Sequence, residues 1–418
     1  AQTLAHQGDT WLPHLYSAST TNTPRIMNFG QDDSFGGTVT PGGYTDANER
    51  GSFKYPVPDG FLSLCTANLP EPDISPANGQ EPADYFNTVL YAGDDTTSNA
   101  ITGVGFQPDF TWIKARNSGA LSHGLFDSVR GANKTVFSDV TNAESSAVVF
   151  PSFDSDGFTV SDSGGNWTND SFNYVSWNWL AGGTAVSNTD GSVTSSVSAN
   201  TKAGFSVCKW TGTGSNLTVG HGLGVAPKAY IVKRIDGTSS WHMYHDALGN
   251  GKGIQLSGTG DAISLSTYWN STSPTSSVFS IGTYSNVNTS SANYIAYVFA
   301  EVEGYSKFGS YTANNTDDNA FVYLGFRPAW VMCKSSSGGG NHFDWVIYDN
   351  KRADDNPIDA VLEANQSQAE VTGTGRGLQL DFLSNGFKIR NSYAEVGSSY
   401  TYIYIAFAEM PFKYAQAR

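Results

Sequence analysis

The sequence predicts an all-β protein, built from tandem β-sandwich domains of a jelly-roll or lectin-like kind with three internal repeats. The first observation is composition: of 418 residues, 13% are aromatic, 45 are glycine and only 15% are charged. Aromatic side chains favour strands, and glycine favours the turns between them. The second observation is a pattern of about a hundred residues that occurs three times along the chain.

Each repeat opens on Gly-x-x-Pro and closes on a strand of alternating aromatic residues. The openings are Gly105–Pro108, Gly224–Pro227 and Gly325–Pro328. The closing strands begin at Tyr174, Tyr294 and Tyr402. Between them, each repeat carries a lysine and then an aspartate that follows an aromatic residue: Lys114 and Asp127, Lys233 and Asp246, Lys334 and Asp349. A period near 110 residues fits a whole small sandwich better than a propeller blade or a solenoid turn.

The spacing of the repeats predicts a row of separate domains. The three sandwiches are placed at 84–183, 204–304 and 305–418, with a proline-rich linker at 73–83 and a Ser/Thr-rich linker at 184–203. Residues 1–72 precede them and contain a predicted short strand at Phe61–Cys65. We expect the second and third sandwiches to be closely coupled, and the first to flex against the second.

Charge and cysteine content exclude several classes of protein. The net charge of −15 disfavours nucleic acid as a partner. No run of 18 apolar residues is present, so no membrane span is expected. Three cysteines without a short spacing predict neither a disulfide framework nor a zinc site. We therefore expect buried free thiols at Cys65, Cys208 and Cys333.

The recurring aspartates have two readings. They are either carboxylates that hold a ligand or metal in every repeat, or structural residues, in a turn or at a strand end as partners of the recurring lysines. Recurrence inside a repeat usually reports structure, so the second reading is favoured. The run Asp154–Gly157 is similar to the start of a calcium loop but lacks later ligands, which favours a hairpin turn. His242 and His245 are expected on opposite faces of a strand, a poor zinc geometry. We expect no catalytic, cofactor-binding or metal site.

Two segments resemble proteins of phage tails. Residues 20–72 contain Asn28–Gln31 and a Pro-x-Gly-Phe run ending at Pro70, and this segment resembles the end of a SPRY-like β domain. Residues 84–418 contain the Gly-x-x-Pro openings, Phe126–Arg130 and Phe153–Phe158. They resemble an uncharacterised β-rich module of phage tail and fibre proteins. The resemblance implies a virion appendage and transfers no catalytic residue.

The sequence therefore predicts a non-enzymatic virion structural protein, made in the host cytoplasm, that acts as a tail fibre or related appendage in host attachment. Expected partners are further copies of the chain, with a trimer favoured, other virion proteins, and a host-surface glycan or protein. No cofactor is expected. Two alternatives remain open: a polysaccharide-degrading tailspike that uses paired carboxylates, and a secreted lectin or adhesin of cellular origin. For sugar stacking, exposed loop aromatics such as Trp167 or Trp269 are candidates.

Overall fold

Strands dominate the chain, and the predicted all-β fold is confirmed. The computed structural model describes residues 26–162, 167–168, 171–338, 343–372 and 377–415. The chain divides into two compact units, Ala1–Leu69 and Pro70–Arg418. We refer to the segments 84–183, 204–304 and 305–418 of the larger unit as its first, second and third blocks.

The N-terminal unit has little regular structure among its described residues. It contains an antiparallel bridge between Tyr44 and Phe53 and a 3-10 helix at Thr66–Asn68. The strand predicted at Phe61–Cys65 is wrong, because no neighbouring segment pairs with these residues as a ladder. Instead, the carboxylate of Asp46 accepts a hydrogen bond from the Ser63 amide at 2.7 Å. The expectation of a buried thiol at Cys65 is also wrong, since this residue is exposed.

The first block contains eight strands arranged in two sheets. They are β1 (Phe86–Ala92), β2 (Asn99–Thr102), β3 (Phe110–Ala115), β4 (Gly124–Asp127), β5 (Val136–Phe137), β6 (Ser152–Asp154), β7 (Gly157–Val160) and β8 (Asn173–Trp179). The main sheet has the order β1-β8-β3-β4-β5, and the small sheet has the order β2-β7-β6. Every described pairing is antiparallel.

The second block has the largest main sheet. It contains β11 (Phe205–Thr211), β12 (Leu217–Gly220), β13 (Ala229–Arg234), β14 (His242–His245), β15 (Lys252–Gln255), β16 (Ile263–Ser264), β17 (Val278–Ile281) and β18 (Asn293–Phe299), and two strands of the preceding segment, β9 (Val186–Asn188) and β10 (Ser195–Asn200), extend its main sheet. The main sheet has the order β16-β15-β14-β13-β18-β11-β10-β9, and β12 pairs with β17. A 3-10 helix at Asp246–Leu248 and the helix α1 at Ser285–Asn288 complete it.

The strands of the third block are arranged in the same way as those of the first block. Its strands are β19 (Ser306–Thr312), β20 (Phe321–Tyr323), β21 (Phe326–Ser335), β22 (Val346–Asp349), β23 (Leu362–Glu363), β24 (Leu380–Leu383), β25 (Gly386–Ile389) and β26 (Thr401–Pro411). The main sheet has the order β19-β26-β21-β22-β23 and the small sheet β20-β25-β24. In all three main sheets, the closing strand is inserted between the first strand of the block and the strand after Gly-x-x-Pro. The glycines that open these motifs, Gly105, Gly224 and Gly325, have φ of 89°, 75° and 84°.

Both faces of each main sheet are buried. One face packs against the small sheet of the same block, for example Ile113 and Tyr174 against Phe158 in the first block. The other faces of all three main sheets meet in a single hydrophobic core that includes Trp179, Phe299 and Phe407. The predicted row of separate domains is therefore wrong: an isolated sandwich would leave this second aromatic face in water.

Both predicted linkers are structured. Residues 184–203 contain β9 and β10, and β10 pairs with β11 from Asn200–Phe205 to Ser196–Lys209. Residues 73–83 include the 3-10 helix Pro76–Asn78 and the start of another, Pro82–Asp84. Ile74, just before the first of these helices, is fully buried in the shared core. A sequence rich in Ser, Thr and Pro resembles a linker locally, but tertiary pairing overrides that tendency.

Candidate functional site

Asp127, at the end of β4, lies in a buried cluster between the first and second blocks. Its carboxylate pairs with the Arg130 guanidinium, and both side chains are almost completely buried. The hydroxyl of Tyr297, from the closing strand of the second block, donates a hydrogen bond to the same carboxylate at 3.0 Å. Burial would lower the pKa of the Arg130 guanidinium, but the adjacent Asp127 raises it above its usual value. The Arg130 guanidinium therefore stays charged.

Asp349, at the end of β22, forms the same cluster between the third and first blocks. Its carboxylate pairs with Arg352, and the indole nitrogen of Trp177 donates to it at 2.9 Å. The Arg352 guanidinium also lies 5.6 Å from the centre of a Trp177 ring. The side chains of Asp349 and Arg352 have no exposed area, so the ion pair is fully removed from water.

Asp246, the third recurring aspartate, is in a different environment. No arginine follows it, and its side chain is 47% exposed and pairs with Lys228 at 2.8 Å. The position that corresponds to Trp177 and Tyr297 in the third block is Ile405, which has no hydrogen-bond donor. The second and third blocks are instead connected by His245, whose Nε2 donates to the carbonyl of Tyr404 at 3.1 Å.

The recurring lysines do not pair with the aspartates, so that part of the prediction is wrong. Each ammonium is buried and donates to two backbone carbonyls. Lys233 reaches Thr141 of the first block, and Lys334 reaches Thr259 of the second. Burial lowers the pKa of Lys114, Lys233 and Lys334 to about 8. The preference for a structural reading of the aspartates thus agrees with the contacts, although their partners are different.

The features weighed as metal ligands have structural partners. Ser152–Asp154 and Gly157–Val160 form a hairpin, as predicted, with Asp156 accepting from the amides of Gly103 and Gly105. His242 and His245 lie on opposite faces of β14, the first beside Tyr268 and the second against Tyr404. Among the residues that the structure describes, no group of three His, Cys, Asp or Glu side chains is placed to hold a metal ion.

The cysteine and tryptophan predictions have mixed outcomes. Cys208 and Cys333 are buried, as expected, and burial raises the pKa of both thiols to about 12. Trp167 and Trp269 were candidates for stacking on sugars, and this prediction is wrong. Trp167 is 5% exposed and Trp269 is fully buried, with its indole donating to the carbonyl of Lys252 at 2.7 Å.

Two aromatic residues are exposed on the small sheet of the third block. Phe321 and Tyr323 are 47% and 43% exposed, and Val322 between them is buried. In register, Phe321 lies opposite Lys388, and Tyr323 lies opposite Gly386. Lys388 in turn lies opposite Asp381 on β24. We call Phe321, Tyr323, Lys388, Gly386, Asp381 and Leu383 together the outer face of the third block.

A second open surface is a groove in the third block with a volume of about 580 Å³. Three of its seven lining residues are acidic: Asp344, Glu363, Gln366, Gln368, Ala369, Glu370 and Val371. Glu370 pairs with Arg116 of the first block at 2.8 Å and with Arg352 at 3.0 Å. Asp344 accepts hydrogen bonds from the side-chain amides of Asn365 and Gln366.

Comparison with known proteins identifies a family. A family described as Domain of unknown function (DUF7483) matches residues 81–411, a range that includes parts of all three blocks. No curated protein matches the chain. None of the helices in the described ranges is long and apolar enough to cross a membrane.

Proposed function

We propose that this chain, which belongs to the family described as Domain of unknown function (DUF7483), is a virion structural protein. It acts as a tail fibre or related appendage and attaches the particle to the host surface without performing catalysis. The observation that carries this proposal is the use of the recurring charged residues. Asp127, Asp349 and their arginines are buried partners that join blocks, so the features most repeated in the sequence serve rigidity and not chemistry.

The resemblance to phage tail and fibre modules supports the same function. An appendage must keep its shape outside the cell, and three sheets that share one core suit that requirement. An attachment appendage also benefits from symmetry, because several weak sites that bind together give a much higher affinity than one site. A homo-oligomer, with a trimer favoured, provides that multiplicity.

The N-terminal unit offers a surface for contact between copies. Nine of the seventeen large apolar side chains that are exposed among the described residues lie in 26–69. Phe61 is 62% exposed and Leu64 is 74% exposed, and both help to line a cavity of about 390 Å³ in this unit. Apolar surface concentrated in this way is typical of a protein interface. Because the chain carries a net charge of −15, copies repel each other elsewhere, and association requires such an apolar contact.

The native mass of the purified chain tests the assembly. Light scattering is expected to give a trimer, and the double substitution Phe61→Ser and Leu64→Ser is expected to reduce it to a monomer. Val186→Ser is the matched control, because Val186 is 65% exposed but lies on β9. A monomer for the unsubstituted chain would contradict the proposal.

Attachment is tested on intact particles. An antibody against the chain should label the surface of purified particles in electron micrographs and block their adsorption to host cells. Particles that carry no label, or that adsorb equally well with saturating antibody, would count against the proposed function.

A second candidate, a polysaccharide-degrading tailspike, is favoured by the acidic groove of the third block. Glycoside hydrolysis requires two carboxylates separated by about 5 Å or about 6.5–9.5 Å. Asp344 and Glu363 are two of the carboxylates that line the groove. Release of reducing ends from host polysaccharide, abolished by Glu363→Gln or Asp344→Asn, would favour this candidate over the non-enzymatic appendage.

A further inference from the structure

The outer face of the third block differs from the corresponding faces of the other two. Residues Phe321 and Tyr323 align with Ala100 and Thr102 in the first block, because Val322 and Ile101 pair with the equivalent residues Phe387 and Phe158. In the second block the same positions are Thr218 and Gly220. The fold therefore forms with small residues at these positions, and it does not require the two aromatic rings of the third block.

The two rings lie on one strand with a single residue between them. At 3.2–3.4 Å of rise per residue, their attachment points are about 7 Å apart on the same side of the sheet. The ammonium of Lys307 lies 5.6 Å from the centre of the Tyr323 ring. Gly386, opposite Tyr323, leaves the neighbouring position on β25 without a side chain.

Charged groups border the rings. The ammonium of Lys388 pairs with the carboxylate of Asp318, and Arg390 lies 3.4 Å from the carboxylate of Asp381. Asp318 is 84% exposed, so its oxygens remain accessible to a ligand. The face thus combines flat apolar rings with hydrogen-bond donors and acceptors at their margins.

These features match the chemistry of a sugar. One side of a pyranose ring presents C–H groups, which pack on the electron-rich face of an aromatic ring, while its hydroxyls need donors and acceptors at the edge. Because each of the two rings is less than half exposed, together they offer about 200 Å² of apolar surface. That area is well below the roughly 800 Å² per partner of a stable protein interface, but it suits one or two sugar units.

We infer that the outer face of the third block binds a pyranose-containing glycan, with Phe321 and Tyr323 stacking on consecutive sugar rings. Lys388, Asp318 and Asp381 bind the hydroxyls. This inference rests on the proposed attachment function, for which it names the class of receptor.

The test is binding of the full chain to a printed array of oligosaccharides composed of hexoses, N-acetylhexosamines and uronic acids. The unsubstituted chain is expected to bind at least one class of them. The double substitution Phe321→Ala and Tyr323→Ala should weaken that binding at least tenfold. Each single substitution should cause a smaller loss. No binding to any oligosaccharide by the unsubstituted chain would overturn the inference.

Two matched controls separate the face from general effects. Tyr393→Ala removes a ring that is 49% exposed outside this face, and Thr102→Ala alters the aligned position of the first block. Both variants should bind the array normally. If Tyr393→Ala weakens binding as much as the double substitution does, the assignment to Phe321 and Tyr323 is wrong.

A cell-binding assay distinguishes a glycan from a protein receptor. Periodate cleaves the vicinal diols of sugars, so treated host cells should lose binding of the unsubstituted chain. Binding that survives periodate but is lost on substitution of Phe321 and Tyr323 would mean that the face binds a protein, which contradicts the inference. The glycan inference and the appendage proposal can fail separately. If the chain is a trimer and the antibody labels particles, but the chain binds no sugar on the array, only the glycan inference is wrong. If the chain binds the array through this face but is absent from particles, only the appendage proposal is wrong.

Discussion

The hydroxyl of Tyr297 lies 3.0 Å from the carboxylate of Asp127, although 170 positions separate the two residues in the chain. This hydrogen bond joins β18, the closing strand of the second block, to β4 of the first block. Trp177 and Asp349 repeat the relationship between the first and third blocks at 2.9 Å. With His245 and Tyr404 between the second and third blocks, each block has a polar contact to both of the others.

Removal of a buried aspartate should destabilise the chain much more than removal of its exposed counterpart. Asp127→Ala or Asp349→Ala leaves a buried guanidinium without its carboxylate, which costs about 3–5 kcal/mol in the free energy of unfolding. Asp246→Ala breaks an exposed ion pair and a long hydrogen bond from the Tyr244 hydroxyl, and it should cost no more than about 1 kcal/mol. Urea denaturation of the three variants measures the difference. Equal losses in all three would refute the structural role assigned to the buried pairs.

The donors from neighbouring blocks should also contribute measurably. Tyr297→Phe removes one hydrogen bond to a charged acceptor and should lower the free energy of unfolding by about 1–3 kcal/mol. Its effect should depend on Asp127, so a double-mutant cycle with Asp127→Ala is expected to give a coupling of about 0.5–3 kcal/mol. Additive effects would mean that the 3.0 Å contact does not form.

Stability should fall as the pH decreases from 6.5 to 4.5. Burial lowers the pKa of His242 and His245 to about 4, from an ordinary value of 6.5. Across this window the unfolded chain binds protons that the folded chain does not, so acid favours unfolding. The urea midpoint should therefore decrease with pH, and His245→Gln should flatten the decrease. A midpoint that does not change between pH 6.5 and 4.5 would contradict the burial of these rings.

The glycines of the Gly-x-x-Pro openings should resist substitution for a conformational reason. Gly105 and Gly325 have φ near 90°, which disfavours any side chain, although an added Cβ would meet nothing within 3.4 Å. Gly105→Ala is expected to cost about 1–3 kcal/mol. Gly251→Ala serves as control, because Gly251 has open space and no positive φ. If Gly251→Ala lowered the free energy of unfolding as much as Gly105→Ala, the positive φ of Gly105 would not explain the loss.

The strands were largely predictable from sequence, because aromatic alternation and turn residues act locally. The Phe153–Phe158 hairpin and the strands that begin at Tyr174, Tyr294 and Tyr402 agree with the structure apart from their end residues. The packing of the blocks was not predictable in this way. Trp177 and Tyr297 appear in the sequence as ordinary strand aromatics, and only the fold shows that they face another block.

One signal in the sequence did anticipate the clusters between blocks. Arginine follows Asp127 and Asp349 by three residues but does not follow Asp246, and the corresponding closing-strand positions are Tyr297, Trp177 and Ile405. Where an arginine follows the aspartate, the facing closing strand carries a hydrogen-bond donor; where no arginine follows, that position has no donor. Burial could not be inferred for single aromatics: Trp269, in a turn, is fully buried, whereas Phe321, in the strand β20, is 47% exposed.

Hydrogen exchange of the full chain measures whether the three blocks open as one cooperative body. Peptides from β8, β18 and β26, the three closing strands, should show the same opening free energy, and Asp127→Ala should lower protection in all three together. If Asp127→Ala lowered protection in β8 and left β18 and β26 unchanged, the blocks would be independent domains and not one cooperative body.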